Sequence, residues 1–161
     1  MKTLIAVLLL LTSSFTGILK ADIDSGLVAS YNFSGNYIDA SGHGHNGTPI
    51  SNPAFVNDRF NNSSSALSLN GDSQYVSLPS TIKLYTDLTI SFWFKTTASD
   101  PDPFYFGMFL IDRDICNWYR DWDITLGSGG KIIFTTGTNN GDHQLATAKD
   151  LNDGYWHHIA V

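Results

Sequence analysis

From Gly26 to Val161, apolar and polar positions alternate over short runs, and clusters of Gly, Asn, Asp and Ser separate the runs. Period-two alternation predicts half-buried strands, and such clusters predict turns. GLVASYNF (26–33) puts Leu27, Ala29, Tyr31 and Phe33 on one face and is followed by a polar loop from Ser34 to Gly47. ALSL (66–69) and QYVSL (74–78) are predicted to form a hairpin through Asn70-Gly71-Asp72. LTISFWFK (88–95) alternates most clearly, with Leu88, Ile90, Phe92 and Phe94 facing one way and Thr89, Ser91, Trp93 and Lys95 the other. FYFGMFLI (104–111) is nearly all apolar, with Gly107 as an expected bulge. WDITL (122–126) and KIIFT (131–135) are joined by Gly127-Ser128-Gly129-Gly130, and YWHHIAV (155–161) follows a turn at Asn152-Asp153-Gly154. No run after the first residues has a helical period. The pattern predicts an all-β fold of short antiparallel strands, a sandwich or barrel.

The first residues read differently. Lys2, the apolar run LIAVLLLL (4–11) and the small polar residues after it form a secretory signal pattern, too short to span a bilayer. The expected signal peptide is residues 1–21, with cleavage after Ala21 or, alternatively, after Gly17. Residues 22–161 are then one domain of secreted, periplasmic or cell-surface location, with no membrane span once the signal is removed.

Composition narrows the picture. The acidic residues, fifteen in all, are aspartates without exception; good helix formers are scarce, while Gly, Asn, Ser, Thr and aromatic residues are plentiful, which favours strands and turns. The formal net charge is -6, and the loss of Lys2 and Lys20 with the signal takes it to -8. No basic cluster occurs, so nucleic acid is not an expected partner. Cys116 is the single cysteine, which leaves no internal disulfide and reads as a buried or semi-buried thiol rather than a reactive one.

Four segments, taken together and in order, resemble a known family. They are GLVASYNFSGNYIDASGHGHNGTPI (26–50), ALSLNGDSQYVSLP (66–79), LTISFWFK (88–95) and DGYWHHIAV (153–161). This set resembles the bacterial laminin-G-like jelly-roll domains of the concanavalin A-like lectin/glucanase superfamily. The resemblance implies an antiparallel β-sandwich of two curved sheets. It also implies that the family's domain continues beyond Val161 with further strands, so that residues 22–161 are expected to be an incomplete domain with its C-terminal strands missing. Finally, it implies a structural calcium held by Asp39, by the carbonyl region around Thr48 and by an acidic residue of the closing strand. The residues alone offer a plainer alternative for Asp39, an Asx-turn with Ser41-Gly42.

Other candidate chemistry is sparse. His43 and His45 lack a third zinc ligand at useful spacing. His157 and His158 are consecutive, so in a strand they face opposite ways and cannot grip one metal. In LIDRDICNWYRDWDI (110–124), Asp112, Arg113, Trp118, Tyr119, Arg120 and Trp122 combine aromatic faces with charged hydrogen-bonding groups, the chemistry of a sugar-binding loop; the plainer alternative is a sheet-edge loop with local ion pairs. The superfamily's glucan hydrolases use glutamates around an aspartate, and glycoside cleavage needs two opposed carboxyl groups. This chain has no glutamate and no Gly-x-Ser-x-Gly nucleophile motif. The expectation is therefore a secreted, non-catalytic binding module with a glycan or extracellular protein as partner. The alternative is a structural or adhesion module, or a fragment of a larger secreted protein or glycoside hydrolase.

Overall fold

A computed structural model describes residues 26–82, 87–99, 108–113, 122–138 and 141–161. Their strands are β1 (Thr48–Ile50), β2 (Ala54–Val56), β3 (Ala66–Ser68), β4 (Tyr75–Ser77), β5 (Ser91–Phe94), β6 (Met108–Arg113), β7 (Trp122–Leu126), β8 (Ile132–Thr138), β9 (Gly141–Ala146) and β10 (His157–Ala160). Every pairing between them is antiparallel, and no helix forms among the described residues. The fold is all-β, as the alternation predicts.

The largest sheet runs β6-β7-β8-β9, and β5 pairs with β10 separately. Side chains from both form one core. Phe94 of β5 and Ile159 of β10 pack with Ile124 and Leu126 of β7 and Ile132 of β8. Ile90, Phe92, Phe134 and Val161 flank this cluster. This is the face-to-face packing of a β-sandwich, with inward apolar positions alternating with outward polar ones along each strand. The same alternation leaves Trp93 and His158 outside, opposite each other in the β5–β10 register.

A glycine turn joins β7 to β8 and reaches across to the second layer. Gly127 N–H donates to the Lys131 carbonyl at 2.8 Å, and Leu151 N–H donates to the Gly130 carbonyl at 2.8 Å. Gly130 has a φ of +93°, and a Cβ there would stand 2.1 Å from Asn152 Oδ1. Asn152 Nδ2 in turn donates to the Ala98 carbonyl at 3.0 Å, just beyond β5. Gly130→Ala is expected to destabilise the fold by about 2 kcal/mol, through left-handed backbone strain and the displaced hydrogen bond. An unchanged urea midpoint would show that the turn yields at no cost.

Two expectations change, and one strand is new. The runs at 66–69 and 74–78 do not pair with each other. β3 pairs with β2 and β4 with β1, as two nested pairs. The Asn70-Gly71-Asp72 segment is a corner instead. Asp72 N–H donates to Asn70 Oδ1 at 3.0 Å, while Gln74 Nε2 donates to the Ser51 and Asn52 carbonyls at 3.1 and 2.9 Å. Residues 26–33 form no strand beyond an isolated bridge from Tyr31 to Asp39. Finally, β9 appears in a polar segment with no apolar alternation, because it is the exposed edge of its sheet. The observed register shift in β6 falls between Phe109 and Ile111, and the bulge expected at Gly107 lies outside the described residues.

Candidate functional site

Asp39 is the most highly connected polar side chain near the beginning of the fold. Its own N–H donates to Asn46 Oδ1 at 3.0 Å, and the Ala40 N–H donates to the Ser30 carbonyl at 2.7 Å. Its carboxylate accepts four hydrogen bonds. Oδ1 receives the N–H groups of Ser30 and Ser41, each at 2.9 Å, and Oδ2 receives the Ser41 hydroxyl at 2.8 Å and the His45 N–H at 3.0 Å. The residue is 5% exposed. Burial opposes its ionisation, but hydrogen bonds from Ser41, Ser30 and His45 outweigh that and hold the carboxyl well below the usual carboxylate range. His45 is fixed in turn, with Nδ1 3.0 Å from the Val28 carbonyl, and the Tyr31 hydroxyl donates to the His45 carbonyl. Burial, and then the nearby Asp39 charge, raise the Tyr31 pKa.

This geometry is the Asx-turn to Ser41, extended into a small network. The carboxylate is already satisfied by the protein. A carboxylate has about four acceptor sites, and protein donors fill them here. Thr48 opens β1, exposed and opposite Ser77. A shallow depression of about 400 Å³ lies beside this network, lined by Gly26, Leu27, Val28, His43 and His45.

The aromatic and charged segment at 112–122 is described only at its ends. Asp112 and Arg113 close β6 and stand opposite Asp123 and Trp122 of β7. Asp112 is exposed at the surface, as a hydrogen-bonding role would need. Trp122 is not. It lies on the core face of β7 with Ile124 and Leu126 and is 8% exposed, so its ring faces are closed to a stacked sugar. Trp118, Tyr119 and Arg120 lie outside the described residues.

A different cluster sits on the outer face of β5 and β10. It begins with the turn at 57–62, which Asp58 shapes. The Asp58 Oδ1 accepts the N–H groups of Phe60 and Asn62, both at 2.8 Å, and Oδ2 accepts Asn62 Nδ2 at 3.0 Å. The Asn62 side chain chiefly, with these backbone donors and the Arg59 charge, lowers the Asp58 pKa against a smaller opposing cost of burial. The turn therefore holds Arg59 and Phe60 outward in a fixed order. The Arg59 guanidinium carbon lies 4.3 Å from the Phe60 ring centroid and 4.5 Å from that of Trp93. On the far side, the Trp93 ring meets His158 at 5.1 Å, and His158 Nε2 is 2.8 Å from the Ser91 hydroxyl. Phe60 is 69% and Trp93 44% exposed. His157, on the inner face of the same strand, is held by Asp153 at 2.8 Å.

Comparison with known families bears on what such a surface is for. A laminin-G-type profile described as the concanavalin A-like lectin/glucanases superfamily matches residues 70–161, more than half of the sequence. The chain belongs to the concanavalin A-like lectin/glucanases superfamily. No curated protein and no solved structure gives a significant match. The superfamily segment carries Trp93, His158 and Ser91, while Arg59, Phe60 and Asp39 precede it. Membership in this superfamily supports a binding role of lectin type, but fold alone does not confer chemistry. No helix among the described residues is long and apolar enough to cross a membrane.

The outward position of Trp93 follows from the alternation in LTISFWFK. The Arg59–Phe60 half of the cluster is not legible that way. The only local signal is an Arg-Phe pair within NDRFNN, where the aspartate and the second asparagine after the pair close a turn. Nothing in the sequence says that this turn faces Trp93.

Proposed function

We propose that this protein is a secreted, non-catalytic module that binds carbohydrate on the outer face of β5 and β10. One observation carries this reading: two exposed aromatic rings, Phe60 and Trp93, are held in place around the Arg59 guanidinium. Large exposed aromatic surface on a folded domain marks a contact site more often than scattered apolar residues do. Aromatic side chains give rigid, amphipathic contact area at low entropic cost. A pyranose offers one face of C–H groups to such rings and a rim of hydroxyls to Arg59, His158 and Ser91. The order is already present without ligand, which lowers the cost of binding. Asp112 and Arg113, which close β6, offer charged groups for a second contact with the same ligand class; Trp118, Tyr119 and Arg120 remain candidates from the chemistry of their side chains alone.

A glycan array probed with the full chain tests this reading, with and without EDTA and beside a Trp93→Ala variant. Retention of particular glycans is expected, lost in the variant. It should be unchanged by EDTA, because the Asp39 network is complete with protein donors alone. If no glycan were retained under either condition, the carbohydrate reading would fail in favour of a structural or adhesion module. Loss of retention in EDTA would show that a bound cation organises the site.

A further inference from the structure

We propose that this surface takes an acidic sugar, a hexuronate unit whose ring lies on Phe60 and Trp93 and whose carboxylate meets Arg59. The inference rests on the carbohydrate-binding reading and names the ligand class for that same site.

The charge around Trp93 departs from that of the molecule. The chain carries a formal net charge of -6. Yet the face around Trp93 has Arg59 against its ring and Lys95 exposed two residues further along the same side of the strand. The ion pairs His45–Asp39, Lys131–Asp150 and His157–Asp153 use neither Arg59 nor Lys95. The nearest acidic neighbour in sequence, Asp58, feels the Arg59 charge, but both its oxygens are committed to Phe60 and Asn62. Arg59 thus makes two ring contacts and has no protein acceptor for its N–H fork among the described residues.

A guanidinium held against aromatic faces presents its donors edge-on. That fork matches a carboxylate with two parallel N–H···O bonds, and ring contact removes much of the entropy otherwise lost on binding. An apolar ring face beside such a fork describes a uronate: the pyranose face stacks while the C5 carboxylate reaches past the ring edge. A neutral hexose would satisfy the rings and leave the fork with a weaker, uncharged acceptor. A densely sulfated chain is disfavoured, because the net charge of the whole domain repels it beyond this one face.

Titration calorimetry with the full chain separates these cases. The probes are a uronic-acid tetrasaccharide and the same tetrasaccharide with its carboxyl groups reduced to alcohols. The acidic form is expected to bind on the order of 10- to 100-fold more tightly. Arg59→Gln should bring that ratio close to one, while Arg59→Lys should restore part of it. Trp93→Ala should weaken both sugars alike. Equal binding of the two tetrasaccharides, or a ratio unchanged in Arg59→Gln, would overturn the acidic-sugar inference and leave the carbohydrate-binding reading standing. A poly-aspartate peptide that competes as well as the uronate would assign the face to an acidic protein segment and overturn it too. Failure of these sugars and of every glycan on the array would overturn both.

Discussion

Ile124→Ala is expected to cost about 3–4 kcal/mol of folding stability. Ile124 lies at the centre of β7, is 0% exposed, and belongs to the cluster that joins the two layers through Phe94 and Ile159. Removing its branched side chain loses the transfer energy of the apolar groups and leaves a cavity between two sheets. Those sheets are held in place by their own ladders, so neighbours close the gap only in part. A domain of this size has roughly 5–15 kcal/mol of net stability in all, so one such loss should move the urea midpoint far to the left. Ile124→Val, which deletes one methylene, should cost only about 0.5–1.5 kcal/mol. Equal, small effects from both substitutions would mean that the layers do not meet at this residue.

Asp39→Asn should also be severe, for a different reason. The amide keeps the shape of the carboxylate but turns one acceptor into a donor. Either the Ser30 and Ser41 N–H groups or the Ser41 hydroxyl and His45 N–H then face an N–H₂ group at sites buried from water. Buried donors without acceptors are costly. The thermal midpoint should fall by on the order of 10 °C, and the amide protons of Ser30, Ser41 and His45 should exchange faster. The wild-type carboxylate also sets a pH dependence. Its folded-state pKa lies below the unfolded value of about 3.9, so between those values the unfolded chain binds more protons and stability rises with pH. The Asp39 contribution is complete above the unfolded value and is lost as pH falls toward the folded one. Asp58 and Asp153 are shifted in the same direction, Asp153 first through its hydrogen bond with His157. Asp39→Asn should therefore flatten the acid limb of the stability curve. A full-height acid limb in the variant would assign the effect to other carboxylates.

How much of this was legible in the sequence depends on where each hydrogen bond goes. The inward row Ile90, Phe92, Phe94 and its partner Ile159 could be read directly, because a strand buried on one face must alternate. The β7–β8 hairpin could be read as well, since its four-residue Gly-rich turn admits the positive φ of Gly129 and Gly130. The failure at 26–33 has a clear cause. The alternation there is real, but Ser30 N–H and the Val28 carbonyl are bonded to the side chains of Asp39 and His45, so loop side chains replace a ladder. Local side-chain to backbone bonds compete with sheet in this way. The nested pairs β1–β4 and β2–β3 were missed because each strand is three residues long, too short for a periodic signal to choose among partners. The binding surface combines both situations. Trp93 shows itself by alternation, whereas Arg59 and Phe60 reach it only through the fold.

The affinity of wild type against Trp93→Ala for the best glycan on the array tests the central claim most directly. Trp93 points away from the core, so the variant should keep its circular dichroism and its melt. Removing an exposed aromatic anchor at the centre of a contact surface should weaken binding at least about tenfold. A folded Trp93→Ala protein that binds the glycan as tightly as wild type would contradict the claim that the outer face of β5 and β10 is the binding site.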